Sequence, residues 1–448
     1  MTNGSTEKNG FSGAGLERLE QALSDYVERG RIPGLVALVA RTSGSPGSSA
    51  SSGLSGEPHV IVVGSKAWRE GEAAGTDGAI GGGTDGAMGA RSPTPMTRDS
   101  IFRIASLTKP VTALAAMILV EDGVLTLGQS VVDLLPEMAD RRVLVDIDSR
   151  LDETVKAERE ISLEDLLTFK LGFGNVLAPP GTYPIQVAEE DLGLRTLGPP
   201  WPPPRYTPDE WIERFATLPL MYQPGERWLY NTGAQILGIL IERAAGKSFE
   251  HFLRERVFDP LGMKDTHFSV PVDDLPRFTT AYWTDPATGE RGVLDPAGQN
   301  SYWARPPSMP NGAAWLLSTV DDYWAFAQTL RNDGAYPGGR IVSEKSVKLM
   351  TADHLTRKER LASRPFLGAG SGWGFCMAVP ASGSPRGEGV PARGAERGYG
   401  WNGGSGTTWR TDAETGLTGI LFTQQAMTSP EPPEVFKDFW QYAYEALS

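Results

Sequence analysis

Hydrophobic residues recur at helical spacing near both ends of the chain. The first series stops before Gly30 and consists of Leu16, Leu19, Leu23, Tyr26 and Val27. The second series consists of Val435, Phe436, Phe439, Trp440, Ala443, Tyr444 and Leu447. Residues three and four positions apart share one face of a helix, so each series predicts an amphipathic helix with one buried face.

Short runs of consecutive hydrophobic residues predict buried strands in the same two parts of the chain. Near the amino terminus these runs cover residues 35–40 and, as the hairpin partner, residues 59–68. Towards the carboxyl terminus they cover residues 372–379, 407–412 and 417–424. The chain between the first two strands, and again over residues 71–92, is rich in glycine, serine, alanine and aspartate and predicts mobile loops.

The middle of the chain, over residues 107–275, has a helical pattern. Helices are predicted at residues 163–168, 210–218, 233–245 and 249–257. A proline-dense stretch over residues 199–208 interrupts them and predicts a rigid extended loop.

These elements together predict an α+β fold. Its antiparallel sheet is built from the amino-terminal and carboxyl-terminal segments and is flanked by helices, and a mostly helical domain is inserted between those segments. The expected division is a disordered stretch at residues 1–13, a sheet domain from residues 14–105 and 300–448, and a helical domain at 106–299, with the active site between the two domains.

Composition excludes several classes of function. The net charge of −13 argues against a nucleic-acid-binding protein, which needs a basic surface. No apolar stretch reaches the roughly 18 residues that cross a bilayer, so no membrane partner is expected. The polar amino terminus lacks a secretory pattern and the single cysteine, Cys376, cannot form an internal disulfide, which together predict a cytoplasmic protein. Cys376 itself is expected to be a small core residue in an apolar strand.

Histidine-based and metal-based catalysis have little support. The four histidines are scattered, and no pair has the spacing of a zinc site. The Gly-x-Ser-x-Gly motif is also absent from the chain. We therefore expect neither a metal nor another cofactor.

A Ser-x-x-Lys pair offers a different route to a reactive hydroxyl. Ser106 and Lys109 stand one helical turn apart at the start of a predicted helix, and Pro110 supports that helix start. The positive helix end and partial burial would disfavour the ammonium form of Lys109, so its amine could accept the serine proton. The alternative is that Ser106 is only a helix N-cap, since this short pattern also occurs at Ser5 and Lys8.

Several segments in order resemble the class C β-lactamases and penicillin-binding proteins, and above all their esterase-type members. The similar segments are residues 101–110, 124–137, 161–168, 223–238, 312–322 and 400–407. The resemblance implies the β-lactamase/transpeptidase-like fold and an acyl-enzyme on Ser106. It also implies that Tyr230 carries a proton, as a phenolate or as a relay. The alternative for Tyr230 is a buried structural aromatic residue.

The resemblance also assigns a substrate-binding strand to residues 401–404. Trp401, Asn402 and Gly403 stand where β-lactamases have Lys-Thr-Gly, and the backbone N–H of Gly404 would join that of Ser106 in an oxyanion hole. A plain glycine-rich hairpin is the alternative. In the tyrosine motif the family's asparagine position falls on Thr232, although a shift of one residue would place Asn231 there.

These observations predict a serine carboxylesterase that acts on small neutral esters, with possible weak β-lactamase activity, because Trp401 cannot hold a substrate carboxylate. Aromatic segments at residues 201–206, 282–283 and 302–303 could line an apolar pocket or be ordinary core. A β-lactamase, D-peptidase or acyltransferase of the same fold is the alternative, and a non-catalytic binding protein is a more remote one. The expected partner is a small ester or amide, and the oligomeric state is not predicted.

Overall fold

The computed structural model describes residues 7–42, 57–68, 94–194, 205–383 and 397–448. The glycine-rich and serine-rich segments predicted as loops, residues 1–6 of the predicted disordered stretch, and residues 199–204 of the proline-rich loop lie outside these ranges. Residues 7–12 correct the disordered prediction, since Glu7–Lys8 and Phe11–Ser12 pair as a short antiparallel ribbon.

A seven-stranded antiparallel sheet joins the two ends of the chain. In chain order its strands are β1 Gly34–Arg41, β2 His59–Gly64, β3 Ser371–Trp373, β4 Ala378–Pro380, β5 Tyr399–Gly403, β6 Thr407–Thr411 and β7 Leu417–Thr423. Their order across the sheet is β3-β4-β5-β6-β7-β1-β2. The predicted pairing of the amino-terminal hairpin with carboxyl-terminal strands is confirmed, with Leu38 opposite Ile420 in the β1–β7 register.

Most of the regular structure outside this sheet is helical. The long ones are α1 Gly13–Glu28, α2 Thr108–Glu121, α6 Thr232–Ala245, α9 Val320–Arg331, α11 Arg357–Leu367 and α12 Glu434–Glu445. The shorter ones are α3 Leu163–Leu167, α4 Pro184–Asp191, α5 Pro208–Ala216, α7 Phe249–Leu253, α8 Asp259–Leu261 and α10 Glu344–Met350. Pro208 opens α5 instead of belonging to an extended loop, because proline is tolerated in a first turn.

Short antiparallel pairs, with strands of two to five residues, lie outside the seven-stranded sheet. Phe102–Arg103 pairs with Leu317–Ser318, Arg142–Leu144 with Thr154–Lys156, Ala281–Thr284 with Arg291–Asp295, and Ala335–Tyr336 with Gly339–Arg340. The first of these pairs brings the chain that precedes Ser106 beside the start of α9.

Both faces of the sheet are covered, which explains why residues 35–40 of β1 are all hydrophobic. Helices α1 and α12 pack on one face, where Leu19 and Phe439 are fully buried. The other face packs on the helical region, and its cluster of buried hydrophobic residues includes Val36 from the sheet and Leu114 from α2. The division into two domains stays a prediction. Among the described residues, no helix is both long and apolar enough to span a bilayer.

The predicted strand at residues 372–379 is instead a hairpin. Strands β3 and β4 pair with each other, and the turn between them contains Cys376 at φ +58°. Cys376 is fully buried, and its backbone N–H donates to the carbonyl of Leu167 at 2.9 Å. The turn therefore attaches the sheet edge to helix α3, a contact that the sequence pattern did not reveal.

Candidate active site

Ser106 lies in a single 3₁₀ turn, Ala105–Leu107, that leads directly into α2. Ala105 has φ +44°, a conformation that is uncommon for a residue with a Cβ. The hydroxyl of Thr108 holds the turn by donating to the carbonyl of Ala105 at 2.7 Å and accepting from the N–H of Leu316 at 3.2 Å. The tight turn leaves Ser106 half-buried and facing a cavity.

Lys109 lies in the first turn of α2 and is fully buried. Its Nζ is 3.0 Å from Ser106 Oγ and donates to the carbonyl of Ala313 at 2.7 Å. Within the described residues no carboxylate forms an ion pair with it, and burial lowers the pKa of Lys109 from 10.5 to about 7. The neutral amine is therefore populated near neutral pH, and its lone pair can accept the hydroxyl proton of Ser106.

Tyr230 is the third polar side chain at this point. Its Oη accepts a hydrogen bond from Trp401 Nε1 at 2.7 Å, and its hydroxyl also hydrogen-bonds Ser106. The Nζ of Lys109 lies 4.5 Å from the centre of the tyrosine ring. Burial raises the pKa of Tyr230 well above its usual value of 10, although both hydrogen bonds oppose the shift. The phenol is thus protonated at neutral pH, which favours a relay over a phenolate.

Aromatic side chains hold the ring of Tyr230 in place. Phe366 is the nearest, at 4.5 Å between ring centres, and Trp401 follows at 5.5 Å. Phe169, Trp228 and Trp373 lie 5.7, 6.0 and 6.2 Å away. Such packing excludes water and restricts the ring, so the position of the hydroxyl is well defined.

Strand β5 passes directly beside the turn that carries Ser106. The hydroxyl of Thr407 donates to the carbonyl of Ile104 at 3.1 Å, and a Cβ on Gly403 would lie 2.3 Å from that same oxygen. Only glycine permits this approach of two backbones. Gly404 follows in the hairpin turn and lines the same cavity as Ser106, whereas Gly403 itself does not.

The remaining predicted site residues separate into two groups. Trp401 and Asn402 line the cavity, and Asn402 accepts a hydrogen bond from the hydroxyl of Thr408 at 2.7 Å. Thr232 is buried at the start of α6 and does not line the cavity, whereas its neighbour Asn231 does. The assignment of Thr232 and the register of the tyrosine motif stay predictions. Asn231, which directly precedes α6, has φ +88°, a conformation that is uncommon for a residue with a Cβ.

The cavity has a volume of about 880 Å³, and several of its walls were not predicted. The unpredicted lining segments are residues 175–179, 364–368 and 427–432, with Asn311, Arg410 and Lys437. Asn311 helps to position Lys109, because its Oδ1 accepts from the N–H of Ala313 at 2.8 Å and the carbonyl of Ala313 accepts from Lys109. The only sequence signal for Asn311 was its position next to the motif at residues 312–322.

Other predicted features do not contribute to the cavity. Tyr206 and the aromatic pairs at residues 282–283 and 302–303 are not among its lining residues, and residues 201–204 lie outside the described ranges. Cys376 lies close enough to interact electrostatically with Lys109, and burial raises the pKa of its thiol. Within the described ranges, no three histidine, cysteine or carboxylate side chains group together as metal ligands would.

A family model described as Beta-lactamase matches residues 19–437 of the chain. The chain belongs to the beta-lactamase family. It is 37% identical to Protein Rv1367c of Mycobacterium tuberculosis over 74% of this chain and 79% of that protein. It is 28% identical to Esterase EstB of Burkholderia gladioli over 76% of this chain and 81% of that protein.

The fold is also shared with solved structures. EstCE1, described as a hydrolase with promiscuous acyltransferase activity, superposes with a TM-score of 0.70 and 20% identity over 96% of this chain and 98% of its own. The resemblance to this family and the fold class predicted from the sequence are both confirmed. The family contains serine hydrolases, including esterases, as well as acyltransferases.

Proposed function

We propose that this protein is a carboxylesterase that works through an acyl-enzyme on Ser106, with Lys109 and Tyr230 as proton carriers. One observation supports it above all. A serine hydroxyl lies 3.0 Å from a fully buried lysine amine, and the same hydroxyl hydrogen-bonds a buried tyrosine that lines the same cavity. This arrangement can activate a hydroxyl without histidine.

Acylation begins when Ser106 Oγ attacks the ester carbonyl carbon and its proton moves to the neutral amine of Lys109. The tetrahedral intermediate then collapses, the bond between the carbonyl carbon and the alcohol oxygen breaks, and Tyr230 protonates the leaving alkoxide. The ammonium of Lys109 returns its proton to the tyrosine, which restores both groups. The raised pKa of Tyr230 suits this relay, because a free phenolate would be unfavourable in so buried a position.

Deacylation uses the same groups with water in place of the alcohol. Lys109 accepts a proton from the attacking water, directly or through Tyr230, and the proton is returned to Ser106 Oγ as the acid leaves. The backbone N–H groups of Ser106 and Gly404 are proposed to hold the negatively charged oxygen in both halves of the reaction. The closeness of Gly403 to the carbonyl of Ile104 supports this role, because it brings the glycine turn beside the serine.

The surroundings of the reacting bond favour a neutral ester group. Trp401 stands where β-lactamases have a lysine, and its indole N–H is engaged with Tyr230. No cation therefore comes from this position to hold a carboxylate next to a β-lactam carbonyl, so we expect β-lactamase activity to be weak. The esterase activity named for the relative EstB is consistent with this choice.

Ester turnover by wild type and Ser106→Ala tests the proposal. A panel of 4-nitrophenyl and alkyl esters, an amide and nitrocefin would be assayed, and the acyl-enzyme would be trapped for intact-mass measurement. We expect ester hydrolysis that is lost in Ser106→Ala and a mass increase on wild type alone. Ser5→Ala is the control, because Ser5 belongs to the other Ser-x-x-Lys match in the chain. Full activity in Ser106→Ala would remove the assignment, and failure of a fluorophosphonate to label the protein would favour a binding protein.

Acyl transfer to an alcohol is the second candidate function. The cavity of about 880 Å³ has room for an acyl group together with a second organic molecule. An alcohol would then replace water in deacylation, with Lys109 accepting its proton. Product analysis in the presence of increasing alcohol distinguishes the two, since a transferase yields new ester in preference to free acid.

A further inference from the structure

The walls of the cavity carry more positive charge than the protein as a whole. Arg364, Arg410 and Lys437 line it together with a single carboxylate, that of Glu431. Three cations against one anion leave a local excess of two positive charges among the described lining residues, in a chain whose net charge is −13. A cleft with an excess of one sign concentrates ligands of the opposite sign.

The three cations differ in their exposure and in the carboxylates that lie beside them. Lys437 Nζ lies 2.8 Å from carboxylate oxygens of both Glu431 and Glu434. Arg410 is a buried residue of strand β6. Arg364 is exposed, and within the described part of the chain its guanidinium has neither a hydrogen bond nor an ion pair. Of the three, Arg364 is the one that remains available to a ligand.

Helix α11 holds Arg364 on a rigid wall of the cavity. The helix begins with a capping box between Thr356 and Glu359, and Lys170 Nζ lies 3.4 Å from Glu359 Oε1. Near its start Arg360 donates to Asp353 Oδ2 at 2.6 Å. These contacts fix the helix at its amino-terminal end, so the last turn is presented to the cavity in a defined position.

The last turn of α11 also reaches the proposed reaction centre. Phe366, two residues after Arg364, lies 4.5 Å from the ring of Tyr230 and is stacked on Trp401 at 6.4 Å. The cavity is also lined by an apolar segment at residues 176–179, in which Leu177 is exposed. A ligand that fits this cavity would have an apolar part and an anionic group that reaches Arg364.

We propose that Arg364 is a specificity-determining residue that binds a carboxylate carried by the substrate at a distance from its reacting ester bond. This inference rests on the proposed function, since it concerns the substrate of the Ser106 acyl-enzyme. The planar guanidinium can bind a carboxylate in a bidentate manner. The class of substrate is therefore an ester of an amphipathic molecule with a free acid group, while the ester group itself is neutral.

Pairs of esters that differ only in a distant charge provide the test. One pair is 4-nitrophenyl hydrogen suberate and its methyl ester, which places the charge on the acyl side. The other is 3-(4-acetoxyphenyl)propanoate and its methyl ester, which places it on the alcohol side. The measured quantity is the ratio of kcat/KM for the anion to kcat/KM for the matched methyl ester, in wild type, Arg364→Gln, Arg364→Lys and the control Lys358→Gln.

We expect wild type to prefer the anion in at least one pair, and Arg364→Gln to lower that ratio about tenfold, as expected for the loss of one charge-assisted hydrogen bond. Arg364→Lys should retain part of the preference, and added salt should reduce it in wild type. Lys358 is exposed on the same helix and does not line the cavity, so Lys358→Gln should keep the wild-type ratio.

Two results would overturn the inference. If the methyl esters are hydrolysed but the ratio is the same in wild type and Arg364→Gln, Arg364 does not select substrates, and the esterase proposal stands. If neither member of either pair is hydrolysed and Ser106 is not acylated, the esterase proposal fails and the inference fails with it.

Discussion

Replacing Lys109 with methionine should abolish ester turnover and make the protein more stable. The lysine is fully buried and has no ion-pair partner among the described residues, so it lowers the free energy of unfolding. Methionine has a similar volume and no charge, and therefore fills the same space without that cost. The reasoning predicts both the sign of the stability change and its dependence on pH.

The magnitude follows from the two pKa values of the lysine. In the unfolded chain the pKa is near 10.5, whereas in the folded protein it is about 7. Between these values the unfolded chain binds more protons, so wild-type stability rises with pH, and below pH 7 the penalty stays almost constant. The penalty is about 4 kcal/mol at pH 7 and about 2 kcal/mol at pH 9. Loss of the hydrogen bond to the carbonyl of Ala313 offsets about 1 kcal/mol of the gain in Lys109→Met.

Denaturant unfolding of wild type and Lys109→Met at pH 7, 8 and 9 measures this difference. We expect the variant to be more stable by about 3 kcal/mol at pH 7, and the gap to shrink by about 2 kcal/mol by pH 9. The exposed Lys358→Met change on α11 controls for loss of a positive charge. A gap that does not change between pH 7 and pH 9 would refute the reasoning, because the titration of Lys109 would then lie elsewhere.

Three further outcomes follow from the same geometry. The kcat/KM of ester hydrolysis should rise with pH through an apparent pKa of about 7, since the neutral amine of Lys109 is the base, and a rate that stays constant down to pH 5.5 would contradict this. Trp401→Phe removes the donor to Tyr230 and should lower kcat about tenfold with little change in Tm, whereas an unchanged kcat would show that the bond has no role in the reaction. Gly403→Ala should lower both Tm and activity, because its Cβ would lie 2.3 Å from the carbonyl of Ile104, and wild-type behaviour in both assays would disprove this close approach.

The sequence was most informative where neighbouring positions along the chain decide the geometry. Ser106 and Lys109 are one turn apart, so any helical start in this segment brings them together, and the structure places them 3.0 Å apart. The same holds for the amphipathic helices α1 and α12, whose buried faces were visible as a period in the sequence.

Errors occurred where the backbone departs from a regular period. Cys376 at φ +58° lies at a change of direction, and strand spacing extended through it predicts one strand where the structure has a hairpin. Asn231 at φ +88° also has an unusual backbone, and it lines the cavity, whereas Thr232, which the family motif indicated, does not. The role of Thr232 stays a prediction. Such conformations depend on tertiary contacts, for example that between Cys376 and Leu167.

Most of the local elements, the serine–lysine pair and the family could be predicted from the amino-acid sequence, because they depend on spacing and on an ordered set of short motifs. The surroundings of that pair depend on how distant segments fold together. The carbonyl of Ala313, the indole of Trp401 and the wall formed by α11 come from positions 200 or more residues beyond Lys109. Burial by these distant segments lowers the pKa of Lys109. The position of α11 places Arg364 in the lining of the cavity. Neither property can be predicted from a residue type or from a local sequence pattern.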